Sequence, residues 1–237
     1  MLRLDEDLGD FHALCRRVPG FAWAADARAG LLLRAPDPFE DLVKMICTTN
    51  CTWALTRVMV GAIVQDLGGA AVGPSLPSSN PPLRPPGRWR SFPTAEAMAA
   101  APIRFYTRRA KAGYRAAYLK CLAEDVAAGR LLPSRWLSPV MPAEEIRREV
   151  TSVKGAGRYV ADNMLKLLGR YEGLGLDTWC RRKVAEIHHH GRPVSDCTIE
   201  RRYAPFGPWR GLALWCDVTR DWFEGDVPIQ FLREQKY

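Results

Sequence analysis

Apolar residues recur through most of this chain at the three-and-four spacing of a helix face. Phe39, Leu42, Val43 and Ile46 form one stripe, opened by Asp37-Pro38-Phe39-Glu40, a capping box with proline at the first helical position. Trp53, Leu55, Val58, Met59, Ala62 and Ile63 mark the next helix, which leaves Asn50 at the junction. A helix is predicted to start over 94–100, and another to run through Tyr118, Leu119, Leu122 and Val126. Pro142-Ala143-Glu144-Glu145 carries helix start signals ahead of Ile146, Val150 and Val153, with Arg147, Arg148 and Glu149 on the other face. Val160, Ala161, Met164, Leu165 and Leu168 line one side of a helix over 158–168 that stops at Gly169, and Leu212, Leu214 and Trp215 belong to a final one. Two stretches depart from this pattern. A short helix near Phe11 to Arg17 is followed by Phe21-Ala22-Trp23-Ala24 and Leu31-Leu32-Leu33, which predict a small β-hairpin about an Ala-Gly turn. From Gly73 to Gly87 six prolines predict a surface connection.

The most informative punctuation is Val153-Lys154-Gly155-Ala156-Gly157-Arg158, a glycine hairpin between two predicted helices. Glycine takes the positive φ that such a reversal needs and lets another backbone come close. The leading amides of the second helix are unpaired and point outward, so the hairpin is a ready anion site. Lys154 and Arg158 add positive charge beside it. Leu176-Asp177-Thr178-Trp179 then puts a carboxylate at the start of a further helix. Asp177 reads equally well as an N-cap and as a reactive acid.

Composition narrows the class. With 237 residues, 47% of them hydrophobic, the chain can bury a core without disulfides. Its seven cysteines include no C-x-x-C pair and read as reduced thiols. A formal charge of +8 and a pI near 9.3 favour a polyanionic partner. No apolar run is long enough to span a membrane and the N-terminus lacks a signal peptide's pattern, so a soluble intracellular protein is expected, cytoplasmic at a bacterial nucleoid or nuclear. His188-His189-His190 cannot all face one side of a helix and is expected to be a solvated helix end.

Hairpin, helix, short loop and helix-opening aspartate together resemble the helix-hairpin-helix DNA glycosylase superfamily, nearest to its 8-oxoguanine and 3-methyladenine DNA glycosylase branches. Asp37-Pro38-Phe39-Glu40 leading to Ile46-Cys47-Thr48-Thr49-Asn50, then Phe92-Pro93-Thr94, then Gly113-Tyr114-Arg115-Ala116 extend the likeness in order from about residue 31 to 220. The resemblance implies an all-α, two-lobed fold with a small N-terminal β remnant: an appendage over 1–36, a helical lobe over 37–135, and the hairpin with a C-terminal lobe over 136–237. It also implies a monomer that acts on double-stranded DNA holding a damaged or mismatched base.

Residue roles follow from the same resemblance. Asp177 would be the catalytic carboxylate, and Tyr159 stands where bifunctional members have a Schiff-base lysine, which favours a monofunctional, water-dependent reaction. Lys154, Gly155, Gly157 and Arg158 would hold the DNA backbone. Asn50 would contact the orphaned partner base, Tyr114 would wedge into the duplex, and Arg115 would read the opposite base. Asn163, Trp179 and Trp215 would form the base pocket. Leu55 departs from the branch that requires cytosine opposite its lesion, which has arginine there. Only Cys180, Cys197 and Cys216 follow Asp177, so the iron-sulfur cluster of some relatives is not expected. No organic cofactor is expected either, although hairpin carbonyls allow a monovalent cation. Oxidised or alkylated purines are the favoured lesions. Three alternatives stay open: a thymine/uracil mismatch glycosylase, since such enzymes also have tyrosine at the Tyr159 position, a bifunctional glycosylase/AP lyase, and a non-catalytic DNA-binding protein.

Overall fold

The computed structural model describes Arg3, residues 6–70 and residues 90–223; the proline-rich stretch from Gly73 to Gly87 lies outside them. Along the chain come α1 (Gly9–Arg17), α2 (Ala22–Asp26), α3 (Pro38–Thr48), α4 (Trp53–Leu67), α5 (Ala95–Ala100) and α6 (Arg115–Ala127). After them come α7 (Ala143–Ser152), α8 (Arg158–Leu167), α9 (Thr178–His188), α10 (Asp196–Tyr203) and α11 (Arg210–Val218). The chain divides into a middle unit, Ala35–Val160, and a terminal unit made of Met1–Arg34 with Ala161–Tyr237.

In the middle unit the helix starts are chemically marked. The Asp37 carboxylate accepts from the Phe39 amide at 2.9 Å, with Pro38 in the first turn. Glu40 reaches forward to Lys44 rather than back to the cap, so the expected capping box is only half made. Thr52 caps α4 through the Leu55 amide at 3.3 Å, and Thr94 caps α5 through the Ala97 amide at 3.2 Å. The predicted stripe of α3, namely Phe39, Leu42, Val43 and Ile46, is buried throughout. A 3-10 turn, Pro133–Leu137, packs on α3 and buries Trp136 completely. The Trp136 indole donates to Glu149 of α7 at 2.6 Å, which meets the polar demand of a buried tryptophan.

In the terminal unit the N-terminal segment is helical, and the β-hairpin expected around Phe21 to Leu33 does not form. Ala22, Ala24 and Ala25 are strong helix formers, and α2 occupies them instead. Leu31 and Leu33 lie exposed, and the isolated bridge between Ala70 and Arg90 is the sole strand-like pairing among the described residues. The described residues are therefore all-α, without the expected β remnant. Nor do these residues stand apart: Phe11 and Phe21 join Tyr203, Phe206 and Leu212 in one core. Phe21 and Phe206 meet edge to face at 4.6 Å between ring centroids. Gly30, at φ +116, is wedged against Leu8, Phe11 and Leu212.

The histidine triplet also departs from expectation. His188 is half-buried, and its Nε2–H and the Tyr203 hydroxyl both donate to one oxygen of Asp217, each at 2.7 Å. Arg202 lies 3.7 Å from the same oxygen. This buried carboxylate ties the end of α9 to α10 and α11. Among the described residues no group of histidine, cysteine or acidic side chains could hold a metal ion, and no helix is long and apolar enough to cross a membrane.

Candidate active site and nucleic-acid interface

In the middle unit the glycine hairpin follows the end of α7. The Ala156 amide bonds the Val153 carbonyl at 2.9 Å, and Gly155 turns the chain at φ +91. A Cβ on Gly155 would stand 2.4 Å from the Tyr118 ring, so close approach as well as conformation demands glycine there. Gly157 differs. Its φ is not positive, and a Cβ on it would meet nothing within 4 Å. The positive φ expected at both glycines is thus required only at Gly155, while Gly157 is an exposed, unobstructed stretch of backbone at the entrance to α8.

Tyr118 joins the hairpin to the other predicted contact residues of this unit. Lys154 Nζ lies 5.6 Å over its ring, and Tyr114 meets it edge to face at 5.7 Å. Asn50, in the left-handed region at φ +46, donates from Nδ2 to the Tyr114 hydroxyl at 3.4 Å. The Arg115 guanidinium stacks over the Tyr114 ring at 4.5 Å. Hairpin, Tyr118, Tyr114, Arg115 and Asn50 therefore form one continuous chain of contacts. Tyr114 is 52% exposed, whereas Arg115 is 4% exposed. Arg115 donates to the Thr49 carbonyl and, at 3.3 Å, to the Thr49 hydroxyl. In this structure Arg115 fixes the bend that presents Asn50, where the resemblance had it reading a base. Arg158 is exposed and Tyr159 half-buried.

In the terminal unit Asp177 caps α9, accepting from the Cys180 amide at 2.7 Å, and remains half-buried rather than sealed from solvent. Two cations lie near it. Lys166 is fully buried and donates to the Leu174 carbonyl at 2.9 Å. Burial pushes its ammonium down to about 8, while Cys180 and Asp177 pull it back up. Arg181 is held by Asp196 at 2.7 and 2.9 Å and reaches the Leu176 carbonyl at 3.5 Å. The Asp196 bond holds the Arg181 guanidinium above its usual value, and Asp177 adds to that. Burial raises the Cys180 thiol to about 12, with the Asp177 charge as the next cause, so Cys180 is an inert neighbour at neutral pH.

The inner side of α8 shapes the loop that delivers Asp177. Asp162 is buried and accepts from the Gly175 amide at 3.4 Å. Asn163 donates to the Gly175 carbonyl, also at 3.4 Å. Gly175, at φ +57, leaves no room for a Cβ beside the Asn163 amide. Asn163 thus braces the loop that carries Asp177. Trp179, in the first turn of α9, lies 6.4 Å from both Trp215 and Trp222, and Trp215 meets Trp222 edge to face at 5.8 Å. Trp222 is 45% exposed, so the cluster offers an indole surface to solvent.

No protein-family model matches the chain. Solved structures do resemble it. The apo-form of an 8-oxoguanine glycosylase/lyase from Clostridium acetobutylicum matches with a TM-score of 0.72 at 22% identity, covering 92% of this chain and 72% of that one. A 3-methyladenine DNA-glycosylase from Archaeoglobus fulgidus matches at 0.69 and 19%, over 92% and 70% of the two chains. A Schizosaccharomyces pombe 3-methyladenine DNA glycosylase in complex with abasic-DNA matches at 0.65 and 16%, over 90% and 95%. The fold is that of the helical DNA glycosylases.

Within this DNA glycosylase fold, sequence reasoning missed four residues of the candidate site. Tyr118 looked like an ordinary member of the α6 stripe, yet its ring joins the hairpin to Tyr114. Lys166 and Arg181 are single basic residues on helices, and nothing in spacing distinguishes a buried cation from a solvated one. Trp222 lies beyond the last predicted helix, and its aromatic neighbour Phe223 was the one available signal.

Proposed function

We propose that this protein is a monofunctional DNA N-glycosylase of base excision repair that extrudes a damaged base and hydrolyses its N-glycosidic bond, with oxidised or alkylated purines as the favoured substrates. The observation that carries this reading is Asp177: a half-exposed carboxylate, fixed by the Cys180 amide, with Lys166 and Arg181 nearby, in a DNA glycosylase fold. As the base departs, the sugar gains oxocarbenium character. A fixed anion near C1′ stabilises that charge and orients the attacking water. This chemistry needs no organic cofactor.

Tyr159 supports the monofunctional form, because a phenol makes no imine. Lys166 interacts electrostatically with Asp177, but its amine is buried and bonded to the Leu174 carbonyl. The hairpin amides with Lys154 and Arg158 would take a DNA phosphate. Tyr114 would fill the gap left by the extruded base, offsetting part of the few kcal/mol that unstacking costs. Trp179, Trp215 and Trp222 would give that base an aromatic surface on which to stack.

A panel of duplexes, each with a single oxidised, alkylated or mismatched base, tests the reading directly. Release of a modified purine is the expected result. No release from any duplex, with tight binding retained, would assign the chain to non-catalytic DNA binding, and selective release of thymine or uracil would move it to the mismatch class. Borohydride treatment on abasic DNA should trap no covalent adduct.

A further inference from the structure

Trp53 is an exposed indole. It is the first residue of α4, directly after the Thr52 cap, and it is 61% exposed. Arg57 and Val58, further along the same helix, are exposed with it. Three peptide units separate Trp53 from Asn50, a reach of at most ~11 Å. Asn50 is itself bonded to the exposed Tyr114 ring, and Arg115 grips the carbonyl of Thr49 just before it. The middle unit therefore presents an asparagine bonded to one exposed aromatic ring, with a second exposed ring three residues along the chain, next to a bend anchored by Arg115. Exposed Arg104, Arg108, Lys111 and Lys154 belong to the same unit. Exposed aromatic rings on a unit that also shows several cations suit nucleic-acid bases better than a protein partner.

We propose that Trp53 is a second base-stacking residue, packing against a base of the strand opposite the extruded nucleotide, and that it makes recognition there tolerant of base identity. This rests on the DNA glycosylase reading above and adds a specificity element to it. An indole offers one N–H donor and no acceptor, so it cannot match the paired donor and acceptor pattern that distinguishes one base edge from another. Its face, by contrast, stacks on any of the four bases. Leu55, half-buried on the same turn of α4, adds no hydrogen-bonding group to reverse that tolerance.

The test uses the full chain and duplexes carrying a tetrahydrofuran abasic analogue opposite each of the four bases. Wild-type affinity should vary less than ~10-fold across the four. Trp53→Ala should weaken all four by roughly 10-fold or more, Trp53→Phe should restore most of the loss, and the melting temperature should stay unchanged because the side chain is exposed. Wild-type binding by Trp53→Ala, or a loss confined to one opposite base, overturns the inference even while wild-type base release upholds the glycosylase reading. A wild-type chain with neither duplex affinity nor base release overturns both.

Discussion

The candidate site residues of the two units are held differently. Most of those in the middle unit face solvent: Tyr114, Trp53, Lys154 and Arg158 are all exposed, although Arg115 is buried. Several charged groups of the terminal unit are drawn inward. Lys166 is fully buried, Asp217 collects His188, Tyr203 and Arg202 on one oxygen, and Asp177 is held by a backbone amide. An exposed charge serves association, because it steers and grips a polyanion at little cost to folding. A confined one serves chemistry, because an electrostatic interaction strengthens as water is removed from around it. Under the proposed function, the contrast would give grip to the middle unit and base release to the terminal one.

Asp177→Asn is the sharpest way to break that assignment. Asparagine caps a helix as well as aspartate, so α9 should survive. Base release should fall 100-fold or more while duplex affinity holds, as measured by single-turnover kinetics beside equilibrium binding. Parallel loss of both would mean that the terminal unit also grips.

Lys166→Met probes the buried charge through stability. The ammonium of Lys166 is lowered to about 8, against an ordinary value of 10.5, so between those pH values the unfolded chain holds a proton that the folded one lacks. Stability from this group therefore rises as pH climbs through that window, by on the order of 3 kcal/mol, and below it the lysine folds charged. Urea midpoints of wild type minus those of Lys166→Met should increase over this range. A flat difference would show that Lys166 is better solvated than its position in the fold allows.

Tyr114→Ala should act on the other unit alone, lowering affinity for an abasic duplex on the order of 10-fold without moving the melting temperature. Gly155→Ala should cost about 1–2 kcal/mol of stability, since it forces a Cβ into a left-handed backbone against the Tyr118 ring. DNA affinity should drop with it as the hairpin shifts. Full affinity in this variant would detach the hairpin from the grip.

Much of this was legible in the residues. The stripes of α3, α7 and α8 and the N-cap of α9 were readable because periodicity and capping are local properties. The N-terminal hairpin does not form because the alanines of α2 favour a helix, and Phe11 and Phe21 pack with Phe206 and Leu212 from the far end of the chain. Burial of Lys166 and of Arg115 could not be read at all. A cation's surroundings depend on which loops fold over it, and the loop carrying Leu174 and the bend at Thr49 are set by tertiary packing. The pairing of His188 with Asp217 was hidden for the same reason.

The Arg115 anchor falls mainly on a main-chain carbonyl, a group that every amino acid carries. Exchange of the side chain at position 49 would leave most of that hold intact. The bend can thus keep its shape while neighbouring surface positions such as Trp53 and Leu55 change, without unseating the asparagine that bonds Tyr114.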